Sequence, residues 1–262
     1  MVFSVIGGDV RQIFIARQLE QKGYAVKTYG ENAGLDECAK ADIIILPLPI
    51  TSDGSTIKNT QITFDKLFEK VNKRSIIFGG NINDSINLKS PCSIIDYYKS
   101  EKLKSVNAYL TAEGAIPYII TGTRKSLKDC RILITGFGRI GKCLAYLLKP
   151  FADDVTIALR SRKDIALIDA LDFKTADVHS LGSLKEYDVI INTVPARILE
   201  KEIKTVKKDC YVLELASSPY GFDPENAQNI NFEIGSSLPG KISPESAGLE
   251  ILNCILRHLG RG

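Results

Sequence analysis

"ITGFGRIGKC" (Ile134–Cys143) sets three glycines in the order GxGxxG between an apolar run and an amphipathic segment. A bare GxGxxG arises often by chance, so its weight comes from its flanks. Upstream, "RILIT" (131–135) reads as a short strand, and downstream "RIGKCLAYLLK" has apolar residues at helical spacing. A second strand, "VTIAL" (155–159), then closes a βαβ unit roughly 20 residues past the glycines. In such a unit Gly136 permits the tight turn, Gly138 leaves room for a pyrophosphate to meet backbone N–H groups, and Gly141 lets helix and strand pack closely. Gly136, Phe137, Gly138, Arg139, Ile140 and Gly141 are therefore expected to bind a dinucleotide.

The end of the second strand selects the dinucleotide. NAD-binding units place an Asp or Glu there to accept from the ribose hydroxyls, whereas this chain has Arg160, Ser161 and Arg162. Two guanidinium groups without a carboxylate suit a 2′-phosphate, so NADP(H) is favoured over NAD(H). Thr193, Val194 and Pro195, in "NTVP" after the next strand, are expected on the carboxyl edge beside the nicotinamide half. Ala216 and Ser217, after "CYVLELA", complete the candidate cofactor residues.

Working outward, the 262 residues suit two domains of ordinary size better than one. Charged residues make up 25% and 34 basic face 31 acidic residues, so the net charge of +3 offers no field for nucleic acid or a membrane surface. The N-terminus enters an apolar strand at once, without a secretion signal. The longest apolar runs, such as "ADIIILPLPI" (41–50), stop far short of the roughly 20 residues of a bilayer span. Six scattered cysteines, never in CxxC spacing, and two histidines read as reduced thiols in a cytoplasm with no metal site.

Strand-length apolar runs alternate with helix-length segments twice over, the signature of an α/β chain with two Rossmann-like domains and parallel sheets. The first half offers "FSVIG", a helix over Val10–Lys22, "AVKTY", "DIIILPLP", "SIIFGG" and "SIIDYY". The second offers "RILITG", a helix over Arg139–Leu148, "VTIALR", "DVIINTVP", "CYVLELA" and "INFEIG". An interdomain helix is expected over about residues 105–122, with Pro117 kinking it or starting its second part. The domains expected are thus 1–122 and 123–262. In the final helix Ser243 can cap and Pro244 occupies the first turn. Its apolar face packs either on its own sheet or back on the first domain.

These motifs, taken in order, resemble the A-subunit family of bacterial dipicolinate synthase over nearly the full length. The segments are "VIGGDVRQ" (5–12), "LTAEGAI" (110–116), "GFGRIGK" (136–142), "NTVP", "ELASSPYGFD" (214–223) and "LPGKISPESAG" (238–248). Two positions depart. Pro219-Tyr220-Gly221 stands where the family usually has a proline and two glycines, and Leu110 stands where a proline precedes the TxEG segment. The resemblance implies two Rossmann-like domains around a cleft, with the cofactor held by the second. It also implies NAD(P)-dependent oxidation of a dihydrodipicolinate-type dicarboxylate to pyridine-2,6-dicarboxylate in the mother cell of a sporulating bacterium. The implied partner is the flavoprotein-like B-subunit of dipicolinate synthase, in an oligomeric assembly.

Aromatising a dihydropyridine demands orientation and cationic or N–H donors more than a strong base. "GGDVRQ" offers a helix N-terminus suited to an anion, and Arg11 either grips a substrate carboxylate or sits on the surface. Asp9 is an N-cap or a polar contact of the substrate. "LTAEGA" contributes Thr111 and Gly114 as substrate contacts and Glu113 as the candidate base. Partial desolvation would raise the pKa of that carboxylate; the alternative is a solvated helix residue. Lys241 reads as a surface lysine. His179 and His258 lie away from the expected cleft, against carbonyl reduction through a histidine. A generic NADP-linked dehydrogenase and a non-catalytic nucleotide-binding scaffold stand as alternatives.

Overall fold

The computed structural model describes residues 1–227 and 229–261, apart from the side chain of Arg162. The chain begins β1 (Val2–Val5), α1 (Val10–Gln21), β2 (Ala25–Thr28), α2 (Leu35–Cys38), β3 (Ile43–Ile45), α3 (Phe64–Lys70), β4 (Ile76–Gly79), α4 (Asp84–Lys89) and β5 (Ser93–Asp96). It continues α5 (Glu101–Thr123), β6 (Arg131–Thr135), α6 (Arg139–Leu148), β7 (Asp154–Leu159), α7 (Ile165–Ala170), β8 (Lys174–Asp177) and β9 (Val189–Asn192). It ends β10 (Tyr211–Glu214), β11 (Asn231–Ile234), α8 (Leu238–Ile242) and α9 (Pro244–His258). No helix among the described residues is long and apolar enough to cross a membrane.

The first unit comprises Met1–Asn107 and Gly240–Gly262. Its strands form one parallel sheet in the order β2-β1-β3-β4-β5. Helices cover both faces, so the central strand β3 is an unbroken Ile run rather than an alternating one. Ile43 and Ile45 pack with Phe3, Ile15, Leu19 and the α9 residues Ile251, Leu252 and Ile255. Ile44 points the other way, onto Ile6, Leu46, Ile57 and Leu67.

The second unit, Ala108–Pro239, carries a six-stranded parallel sheet in the order β11-β10-β9-β6-β7-β8. Counted from β6, this is the doubly wound order in which the direction of winding reverses between the first strand and the fourth. Ile132, Ile134, Ile157 and Ile191 pack with Ala112, Ala115 and Ile119 of α5 and with Leu144 and Leu148 of α6. Leu133, Ala158, Ile190 and Val212 face a second cluster with Leu199 and Phe222. The α/β architecture of two parallel sheets is therefore the one the apolar runs predict.

Local differences have physical causes. β8, sequence KTAD, has no apolar alternation because it is an edge strand with mostly exposed or half-buried residues. α5 begins at Glu101 and runs 23 residues with Pro117 inside it, so the proline starts no second helix. Leu103 of α5 belongs to the first core and Ala112 to the second, so the two units part inside this helix, ahead of the boundary expected after residue 122. The segment "LPGKI" is helical as α8 where its proline and glycine suggest a loop.

At the amino edge of the second sheet, buried Asp188 accepts from Lys125 Nζ at 2.9 Å, Lys207 Nζ at 2.7 Å and the Arg131 N–H at 2.9 Å. Burial raises its pKa, but these donors outweigh it and hold the carboxyl well below the usual range. Asp188→Asn is expected to cost about 2 kcal/mol at neutral pH, by chemical denaturation. A depressed native pKa gives stability that is present above the unfolded value near 3.9 and lost as pH falls toward the native one. The gap between variant and wild type should therefore close below about pH 4; a constant gap would refute the assignment.

Candidate functional site

The three glycines after β6 do three different jobs. Gly136 has φ +90°, and a Cβ there would lie 2.6 Å from Val194 Cγ2 and 2.8 Å from Thr193 Oγ1. A Cβ on Gly141 would lie 2.2 Å from the Gly136 carbonyl oxygen, so helix and loop touch backbone to backbone. A Cβ on Gly138 would meet nothing within 4 Å among the described residues. Gly138 is also the N-cap of α6, where no side chain caps the helix and no acidic residue occupies the first turn. Open space over an uncapped helix start is a cradle that fits a diphosphate.

The corresponding turn after β1 is closed. Asp9 caps α1 by accepting from the Arg11 N–H at 3.1 Å, while its own N–H donates to Gln12 Oε1 at 3.0 Å. Arg11, expected on the surface or on a substrate carboxylate, is only 4% exposed. Its Nε and Nη2 donate to the Asp9 carboxylate, each at 2.8 Å, and Nη2 also donates to the Leu48 carbonyl at 2.8 Å. Burial raises the Asp9 pKa, but Arg11 outweighs it and the carboxyl titrates below its ordinary value.

The remaining cofactor candidates stand at the carboxyl ends of β7, β9 and β10. Arg160 and Ser161 follow β7 and are exposed; the side chain of Arg162 lies outside the described residues. Thr193 follows β9 and clamps the glycine turn, its Oγ1 donating to the Thr135 carbonyl at 2.7 Å. Val194 is half-buried against Gly136 and Pro195 is exposed. Ala216 and Ser217 open the loop after β10. Phe137 lies under Lys142, whose Nζ is 5.0 Å from the ring centroid. In α5, Thr111 and Gly114 are buried, whereas Glu113 is exposed, the solvated one of the two positions expected for it. Lys241, His179 and His258 are exposed as well.

Sequence reasoning missed the polar network beneath this edge. Glu214, the last residue of β10, is 0% exposed. Its carboxyl oxygens accept from Asn192 Nδ2 at 2.8 Å each, from the Ala216 N–H at 2.8 Å and from the Gly221 N–H at 2.9 Å. Asn192 Oδ1 in turn accepts from Thr135 Oγ1 at 2.5 Å and from the Val194 N–H at 3.1 Å. Three strand ends and the loop from Ala216 to Gly221 are thereby joined. Burial pushes the Glu214 pKa up, against the lowering by the Gly221 N–H, Asn192 and the Ala216 N–H. Tyr220 in this loop has φ +64°, the left-handed conformation a glycine adopts freely, at one of the positions where the motif departs from the family resemblance. A single acid inside the apolar run "CYVLELA" was the available signal.

Residues 2–97 match the family described as the N-terminal domain of the dipicolinate synthase A-subunit. Residues 103–216 match the NAD binding domain of D-isomer specific 2-hydroxyacid dehydrogenases. No curated protein matches the chain. Among solved structures, the dipicolinate synthase A-subunit from Bacillus halodurans is similar at 22% identity with a TM-score of 0.84, covering 100% of this chain and 98% of that one. Its counterpart from Bacillus subtilis is similar at 24% identity with a TM-score of 0.83, covering 99% and 96%. D-lactate dehydrogenase from Escherichia coli shares the fold at 15% identity with a TM-score of 0.70, covering 100% and 98%.

Proposed function

We propose an NAD(P)-dependent oxidoreductase of a cyclic dihydrodicarboxylate, NADP being the favoured cofactor, from a chain whose residues 2–97 match the dipicolinate synthase A-subunit N-terminal domain and whose residues 103–216 match a dehydrogenase-type NAD-binding domain. The substrate is a dihydrodipicolinate-type ring and the product pyridine-2,6-dicarboxylate, formed in the cytoplasm of the mother cell of a sporulating bacterium. The flavoprotein-like B-subunit is the assigned partner.

The observation that carries the reading is the glycine cradle at an uncapped α6. A nicotinamide cofactor held there would supply the hydride acceptor for a ring carbon of the substrate. The backbone N–H groups from Gly138 to Ile140 hold the diphosphate, and Gly136 keeps the turn tight against Thr193 and Val194. Arg160 grips the 2′-phosphate. A proton must leave the substrate atom next to the oxidised carbon, and we assign its removal to Glu113. Arg11 is the cation assigned to a substrate carboxylate, which would take the place of Asp9 on the same guanidinium fork.

The test is a coupled assay: enzymatically generated dihydrodipicolinate precursor and NADP⁺, with this chain alone or together with the B-subunit, followed by pyridine absorbance. Product from this chain alone supports the reading and rejects a scaffold role; no product under either condition overturns it. In the same assay Glu113→Gln is expected to lower turnover about 100-fold while the Kd for NADPH stays within about twofold. An unchanged rate removes Glu113 from the mechanism.

A further inference from the structure

The Glu214 network has a consequence for which form of the cofactor the second unit prefers. Glu214 is fully buried, and among the described residues its carboxyl faces three donor groups, the Asn192 amide and the Ala216 and Gly221 N–H groups, and no acceptor. Two of these donors are backbone N–H groups, which cannot reverse, so the ionised carboxylate is the form this cage satisfies. Among the described residues no cation pairs with it. Arg197, which acts on it from a distance, is paired with Glu200 at 3.6 Å. A negative charge is thus fixed in a low-dielectric setting at the carboxyl end of β10, next to β9 and one strand from the reversal point between β6 and β9. Ligands of doubly wound sheets bind outside the carboxyl ends at that point.

Resting on the cofactor reading above, we propose that Glu214 is a specificity-determining residue. Its buried carboxylate makes the site favour the cationic, oxidised nicotinamide over the neutral, reduced one. The two forms differ by one hydride, and therefore by one unit of positive charge on the ring, while sharing the diphosphate and the ribose phosphates. A fixed anion acts on that difference alone. Its use lies in turnover, because reduced cofactor leaves more readily and oxidised cofactor takes its place. The linked hydrogen bonds to Asn192 and the Gly221 N–H hold the charge in place, and Thr135 ties the same asparagine to the glycine turn.

The test compares dissociation constants of NADP⁺ and NADPH by calorimetry, for wild type, Glu214→Gln and Glu214→Asp. The ratio Kd(NADPH)/Kd(NADP⁺) is expected to fall about tenfold in Glu214→Gln. Glu214→Asp, which keeps the charge, should retain most of the wild-type ratio. A merely structural role would weaken both forms together and leave the ratio unmoved, which overturns the proposal. Wild type gives a second reading that needs no variant to fold. As pH falls through the titration of Glu214, which burial raises above its ordinary value, the ratio should shrink. The 2′-phosphate titrates in both forms and cancels. A ratio flat across that titration also overturns the proposal. Wild type that binds neither form overturns the cofactor reading and this inference together, whereas binding of both with an unmoved ratio overturns this inference alone.

Discussion

Gly138→Asp is expected to weaken NADPH binding at least about 100-fold while the protein melts within about two degrees of wild type. The new Cβ meets no atom within 4 Å, so the fold has no reason to object. What the side chain meets instead is the space over the α6 N-terminus, where its carboxylate caps the helix and repels a diphosphate. Gly141→Ala is the complement, because its Cβ would lie 2.2 Å from the Gly136 carbonyl oxygen. Backbone at that distance cannot swing aside like a flexible side chain, so a cost of about 2–4 kcal/mol in stability is expected. Calorimetric binding and thermal melting of both variants check the pair. Normal NADPH binding by Gly138→Asp would mean that these glycines serve packing alone.

Arg160→Asp is the second large effect. NADPH binding should fall about 100-fold, and NADH binding should change less than about threefold. Arg160 is exposed just after β7, and residues 160–162 include no carboxylate where an NAD-binding unit holds the ribose hydroxyls. The variant installs that carboxylate and removes a guanidinium in one step. Fluorescence titration with each reduced dinucleotide reads the change, and an equal loss for both would sink the preference for NADP(H).

Much of the fold is legible in the sequence because parallel strands buried on both faces leave unbroken apolar runs, as in Ile43–Ile45 and Val189–Ile191. The glycine turn is legible because a local motif and its flanks carry it. β8 is not, since an edge strand with half-exposed residues needs no apolar alternation. Nor is the membership of α9 in the first unit, because an amphipathic face does not say what covers it; its partners are Ile15 and Leu19. The Glu214 network is invisible for a different reason. Thr135, Asn192 and Glu214 lie 57 and 22 residues apart, and only the sheet order places their strands side by side. The burial of Arg11 escapes the sequence because nothing local tells a buried arginine from an exposed one; the deciding acceptor, the Leu48 carbonyl, comes from a distant loop.

Two doubly wound sheets in one chain give a nucleotide two places to settle, and only one of them is useful. Asp9 settles the competition from within. By seating its own carboxylate on the first turn of α1, the chain supplies that turn with a tethered occupant at a high effective concentration. The α6 turn has no such occupant. One side chain thus works as a built-in competitor that keeps cofactor out of the decoy, and the two halves divide their labour without any difference in architecture.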